Sequence, residues 1–186
     1  MNFQFHIQIQ GIKRPPVWRR VIVPSNFNFH RFHFVIQAAF GWTNSHLYQF
    51  QKRVMDFDNP IMVDYGYENY TEIFRDSSKI KLSAIFPQFE RYIYEYDFGD
   101  SWEHIIKLES VEEKTSRYAR LLTGKGRCPP EDCGGPDGYD LLKKSLADKT
   151  HPEHDSYREW LGMDNEDTFD PKYFPLEEFK ELVSKI

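Results

Sequence analysis

Cysteine is scarce in this chain, with two residues in 186. That excludes a disulfide-built scaffold, which needs several paired cysteines. No stretch approaches the roughly 20 consecutive apolar residues that span a bilayer, so no membrane contact is expected. The first residues, Met-Asn-Phe-Gln-Phe-His-Ile-Gln, lack a basic region followed by an apolar run, so no signal peptide is read there and the cytoplasm is the expected compartment. Basic charge is not in excess either. Lysine and arginine total 24 against 29 aspartates and glutamates, a net charge of −5. A nucleic-acid binder normally carries a basic patch or stripe, and nucleic acid is therefore not the expected partner. Lys13, Arg14, Arg19 and Arg20, and separately Lys79 and Lys81, form two small clusters that read as solvated surface. HExxH, GxSxG and the GxxxxGK[ST] phosphate loop are all missing, and there is no internal repeat.

What is present is aromatic. Phenylalanine, tyrosine and tryptophan make up 17% of a chain that is 40% hydrophobic and 28% charged. Such a composition belongs to a globular protein with an aromatic core or an aromatic-lined cleft. The length suits one domain over residues 1–186.

Residues 3–9 alternate: Phe3, Phe5, Ile7 and Ile9 face one way, Gln4, His6 and Gln8 the other. This is the period of a half-buried strand. A second strand, Val17 to Val23, follows the Gly11–Pro16 break and is expected to pair with the first. Asn28 is a candidate N-cap for a helix over 29–40, with Phe29, Phe32, Ile36, Ala39 and Phe40 as its buried stripe and Gly41 as its stop. Within that helix His33 reads as a flank histidine with a local hydrogen bond.

Leu47–Met55 and the alternating run Ile80, Leu82, Ala84, Phe86 read as strands. Asp56–Pro60 reads as a turn, and Asp64–Thr71 carries no clear pattern. A hairpin is predicted from Tyr92, Tyr94, Tyr96 and Phe98 on one face, a Gly99-Asp100-Ser101 connection, and Trp102, His104, Ile106 and Leu108 on the return. Glu109–Arg117 reads as a turn or exposed loop. Residues 124–138 hold five glycines and three prolines, which excludes an ordinary helix or a central strand. Helical patterns follow: Tyr139, Leu142 and Leu146; then Tyr157, Trp160 and Leu161; then Phe179, Leu182, Val183 and Ile186. Strands first and helices last predict an α+β fold: a mainly antiparallel sheet, one early helix and a C-terminal group of helices.

Several groups are candidates for chemistry. Cys128 and Cys133, separated by four intervening residues, fit the Cys-x2–4-Cys half of a structural zinc site, with His151 and His154 as the second half or His46 and His104 contributing through space. Zinc is the one cofactor these residues suggest; the alternative is a reduced cysteine pair that packs the loop. Asp97, Asp100 and His104 bracket the hairpin and are candidates for acid–base or metal chemistry. Strand parity sets Asp97 and His104 on opposite faces, and Asp100 also suits a turn cap. Lys125 and Arg127 are candidate anion contacts. Tyr96 and Trp102, with His46, are candidate lining for a peptide or nucleobase cleft, or else core.

Three passages are long and specific: PSNFNFHRFHFVIQAAFGWTNSHLYQF from Pro24, YEYDFGDSWEHI from Tyr94, and KGRCPPEDCGGPDGY from Lys125. With Pro16-Val-Trp-Arg they resemble the plasmid pRiA open-reading-frame-three-like family, also labelled TnpR-like passenger proteins of an insertion element. The resemblance spans nearly the whole chain and implies an α+β domain of this size. It places family positions at His33, Trp42, His46, Tyr96, Asp97, Gly99, Asp100, Trp102, His104, Cys128, Pro129, Cys133, Gly134, Gly135 and Tyr139, without giving any of them a catalytic role. Three functional readings follow: a module that binds a protein or small-molecule partner, a metal-dependent hydrolytic enzyme using the Asp97/Asp100/His104 region, and a DNA-associated accessory protein of mobile elements. Any site is expected between the 124–138 loop and the Asp97–His104 hairpin.

Overall fold

The structure is a computed structural model and describes residues 1–53, 59–63 and 74–186. The alternating N-terminal run forms strand β1, Asn2–Ile9, with Phe3, Phe5, Ile7 and Ile9 buried. It pairs antiparallel with β2, Trp18–Pro24, in a register that sets Phe5 opposite Val21. Helix α1 runs Phe29–Phe40; the Asn28 side chain accepts the Arg31 N–H at its start, and Gly41 at φ 88° ends it. The remaining strands are β3 (Tyr48–Gln51), β4 (Ile61–Met62), β5 (Arg75–Asp76), β6 (Arg91–Tyr96), β7 (Trp102–Glu112) and β8 (Arg120–Lys125). Helices α2 (Gly135–Ala147), α3 (His154–Trp160) and α4 (Leu176–Ser184) complete the chain.

Eight strands form one sheet in the order β5-β4-β3-β6-β7-β1-β2-β8, and every pair is antiparallel except β4 with β5. This is the α+β arrangement expected from the order of patterns. A buried cluster rich in phenylalanine fills the helix side: Phe5 lies 5.0 Å from Phe32 and 4.8 Å from Phe86, ring to ring. The other side of the central strands is polar, where His6, Gln8, Gln10, Arg20, Arg91, Lys107 and Glu109 line an open hollow. One-sided burial of this kind is what period-two patterning specifies. Among the described residues no helix is long and apolar enough to cross a membrane.

Several local expectations change. The run 80–86 is not a strand: Leu82–Ala84 is a short 3-10 helix, with one bridge from Lys81 to Asn28. Leu82, Ile85 and Phe86 are the buried positions, a helical spacing that coincided with an alternating one. The polar run from Glu109 belongs in part to β7, because β1 continues to pair with it as far as Glu112 across a register shift at Gln4/Phe5.

Helix α2 begins at Gly135 rather than near Tyr139, with Pro136 in its first turn, where a missing N–H costs nothing. Phe98 leaves the tyrosine face and is exposed in the turn. β3 ends at Gln51, short of the 47–55 expectation, and residues 54–55, part of the 56–60 turn and the whole 64–71 segment lie outside the described residues. Arg19, read as a surface cation, is fully buried.

Candidate functional site

The antiparallel pairing of β3 with β6, with Tyr48 opposite Tyr96, brings the loop after α1 to the tip of the β6–β7 hairpin. The Asp97 N–H donates to the Leu47 carbonyl at 2.9 Å. Asp97 then takes a left-handed backbone, φ 57°, and its Oδ1 accepts the Gly99 N–H at 2.9 Å. Aspartate and asparagine tolerate this conformation better than most residues, and Asn44 and Asp132 adopt it nearby, both at φ 57°.

A buried polar chain fixes the α1 loop. The Gln37 amide donates to the Tyr94 hydroxyl at 2.9 Å, that hydroxyl lies 2.8 Å from His33 Nδ1, and His33 Nε2 lies 2.8 Å from Asn44 Oδ1. Since Asn44 Oδ1 can only accept, His33 carries its proton on Nε2 and receives the Tyr94 O–H on Nδ1. Burial lowers the His33 pKa to about 3, so the ring is neutral. His33 is thus a long-range connector rather than a flank residue with a local bond.

The glycine- and proline-rich loop closes on the same place. Glu131 Oε1 accepts the Thr43 N–H at 2.7 Å, the Thr43 hydroxyl at 3.0 Å and the Tyr96 hydroxyl at 3.1 Å. Burial, reinforced by the Glu131 charge, pushes the Tyr96 hydroxyl well above its usual range, so it remains a donor. Asp100 Oδ2 accepts the Gly134 N–H at 3.0 Å.

His46 stands where these three segments meet. Its Nδ1 lies 3.7 Å from Asp97 Oδ1, and its Nε2 lies 3.1 Å from Asp132 Oδ1 and 3.9 Å from Glu131 Oε2. His46 Nε2 and Glu131 Oε2 are both buried atoms without a hydrogen-bond partner, the Asp132 contact being close but misaligned. His46, Asp97 and Asp132 each offer a ligand atom within 4.8 Å of the others, the only such group of three or more His, Cys, Asp or Glu side chains among the described residues. One imidazole with carboxylates suits a divalent cation such as Zn²⁺ or Mn²⁺. Asn44, Ser45, Leu47, Phe98 and Gly99 join His46 and Asp97 around an adjoining depression of about 480 Å³, with Leu47 and Phe98 exposed at its edge.

The other expected candidates are distributed as follows. Asp97 belongs to the centre; Asp100 is tied to the loop backbone. His104 lies on the opposite face, as strand parity implied: it is fully buried against Phe40 and Tyr94, its Nδ1 donates to the Trp102 carbonyl at 2.8 Å, and burial lowers its pKa to about 4. Trp102 is core beside Trp42.

Cys133 is buried and its thiol pushed up to about 12, mainly by burial; Cys128 is raised further still for the same reason. His154 Nδ1 donates to the Ser145 carbonyl, and His151 Nδ1 accepts the Glu153 N–H. The structure does not gather these cysteines and histidines into one ligand group. Lys125 is exposed on another surface, and Arg127 stacks over Phe169 at 4.3 Å. The residues that sequence reasoning missed are Glu131 and Asp132. Their signal was two adjacent acids between the cysteines, in a loop that composition had already marked as having a defined path.

A mainly antiparallel sheet buried on one side, with one early helix and three C-terminal ones, makes this an α+β protein. Residues 1–178 match the family described as "Plasmid pRiA4b ORF-3-like protein", and the chain belongs to that family. The protein y4hQ of Sinorhizobium fredii, which carries the name "Uncharacterized protein", is 40% identical over 157 residues, 83% of this chain and 78% of that one. The crystal structure of "Protein of Unknown Function MM3350" from Methanosarcina mazei Go1 is similar across 95% of this chain and 96% of its own, with a TM-score of 0.79 and 31% identity.

Proposed function

We propose that this protein is a metal-centred binding module, in which His46, Asp97 and Asp132 hold a divalent cation and the adjoining depression seats a small oxygen-rich ligand. The observation that carries this reading is the convergence of three ligand atoms from three separate loops within 4.8 Å. Asp97 is held by the Leu47 carbonyl and the Gly99 N–H, so one ligand is set before any ion arrives. A cation binding there would draw on His46 Nε2, an atom whose hydrogen-bonding capacity is otherwise unused.

The test is metal analysis of protein purified without a histidine tag, then dialysed against Zn²⁺ or Mn²⁺. About one ion per chain is expected, falling to background in His46→Ala and Asp97→Asn. No stoichiometric ion in the wild type, after loading with either metal, would leave His46 as an imidazole among carboxylates and end the proposal.

A hydrolytic reading is favoured by one further feature. Glu131 Oε2 is unpaired and 3.9 Å from His46 Nε2, while Oε1 is anchored by three donors. With a cation held by His46, Asp97 and Asp132, the Glu131 carboxylate would serve as the base for a water that the cation polarised. Turnover of generic phosphoester or ester substrates that is lost in Glu131→Gln, with metal retained, would favour hydrolysis over binding alone.

A further inference from the structure

Away from the His46 centre, the β1–β2 connection, the end of β8 and the segment before α4 come together. Lys13, Arg14, Pro15, Pro16, Lys125, Pro171 and Lys172 line a depression of about 500 Å³ there. The backbone builds it firmly. A Cβ on Gly126, whose φ is +81°, would fall 2.7 Å from the Pro16 carbonyl, and the Arg127 N–H donates to the Pro171 carbonyl at 2.9 Å. The floor is proline; the rim is cationic.

Lys13, Arg14, Lys125 and Lys172 are all exposed, and none makes an ion pair among the described residues. Asp170 is close in sequence, but its Oδ1 accepts the backbone N–H of Lys172. Several cations elsewhere are matched, Arg20 with Glu109, Lys79 with Asp76, Lys144 with Asp140, Lys180 with Glu177 and Lys185 with Glu181, and unpaired ones such as Lys81 do not line this hollow. Four unmatched cations around one hollow stand out in a chain of net charge −5.

We propose that this surface docks an acidic peptide segment of a partner protein, carboxylates meeting the four cations and one apolar side chain seated on Pro15, Pro16 and Pro171. Charge complementarity sets the sign of the partner. An aliphatic side chain flanked by carboxylates matches both the proline floor and the cationic rim, which a phosphate backbone alone does not. Prolines are already rigid, so little ordering entropy is lost in forming the contact.

The experiment is a fluorescence anisotropy titration of the full chain with a labelled peptide of aspartate and glutamate flanking a central leucine, at low salt. Binding that weakens with added salt is expected. Lys13→Glu/Lys172→Glu should weaken it about tenfold, and the milder Lys13→Gln/Lys172→Gln less. Lys81→Glu, outside the hollow, should leave it unchanged, and circular dichroism of each variant checks the fold.

Replacing the central leucine with serine should weaken binding several-fold, which a purely ionic surface would not show. Three results overturn the proposal: no peptide binding at low salt, equal binding by the Lys13/Lys172 variants, or a single-stranded oligonucleotide that displaces the peptide and is itself lost in those variants. The last would make the hollow a phosphate surface.

Discussion

Asp100 holds Gly134 through its side chain and crowds Gly135 with its backbone: Oδ2 accepts the Gly134 N–H at 3.0 Å, and the Asp100 carbonyl oxygen lies 2.7 Å from where a Cβ on Gly135 would fall. Gly135 also has φ +68°, a conformation that disfavours a side chain. Gly135→Ala therefore meets a backbone clash and strain together. It should cost about 2–4 kcal/mol in urea unfolding and separate the loop from the hairpin. A cost under about 0.5 kcal/mol would mean that the two segments are not locked in this way.

His33 and His104 make stability depend on pH in the mildly acid range. Burial lowers their folded values to about 3 and about 4, whereas the unfolded chain titrates near 6.5. Between these limits the unfolded state binds more protons than the folded one, so stability rises with pH. The contribution is complete above the unfolded value and is lost as pH falls from there, through about 4 for His104 and about 3 for His33. Urea midpoints should drop steadily from about pH 7 to about pH 4.5, and His104→Leu should make that slope shallower. An unchanged slope in the variant would assign the effect elsewhere.

Arg19 is a buried cation whose hydrogen-bond partners are all carbonyls. Its guanidinium donates to Ala39 at 2.7 Å, Trp18 and Lys125 at 2.9 Å and Gly126 at 3.1 Å, and it lies 4.0 Å from the Phe174 ring centre. Burial lowers its pKa to about 10, which still leaves it charged at neutral pH. Arg19→Met fills the space but orphans several buried carbonyls at the junction of α1 and β8, and should cost about 2–4 kcal/mol. A neutral effect in denaturant unfolding would mean that removing the charge from the interior offsets those lost bonds.

Much of this fold was legible because local and long-range demands agree. Asn28 starts α1 through its side-chain cap and Gly41 ends it through its left-handed backbone, and the alternation of Phe3, Phe5, Ile7 and Ile9 carries through to a strand buried on one face. Where two periods fitted one run, as at Leu82, Ile85 and Phe86, the sequence pattern alone did not choose between them. The site was half legible. Asp97 and the neighbourhood of hairpin and loop stand out from the sequence as candidates, though His104, named with them, lies in the core. Asp132 and Glu131 do not, since their role depends on the loop's path across the sheet end, which is set by contacts such as Gly134 with Asp100 that no local rule contains. The cysteines drew attention because of their spacing, yet among the described residues the fold brings no second pair of ligands to them.

Glu131 separates the architecture of the site from its chemistry, because its two oxygens do different work. Oε1 collects three donors and ties the loop to Thr43 and Tyr96; Oε2 has no partner and faces His46 Nε2 at 3.9 Å. Glu131→Ala removes both functions. It strands the Thr43 and Tyr96 donors and should cost about 2–3 kcal/mol. Glu131→Gln keeps one acceptor oxygen for those donors and replaces the free carboxylate oxygen with a neutral amide. Its unfolding midpoint should stay near wild type, while Zn²⁺ affinity, read by competition with a chelating dye, should fall about tenfold through lost charge beside the metal ligands. If Glu131→Gln binds Zn²⁺ as tightly as the wild type, Glu131 is a structural anchor alone, and the His46–Asp97–Asp132 group must account for any metal affinity by itself.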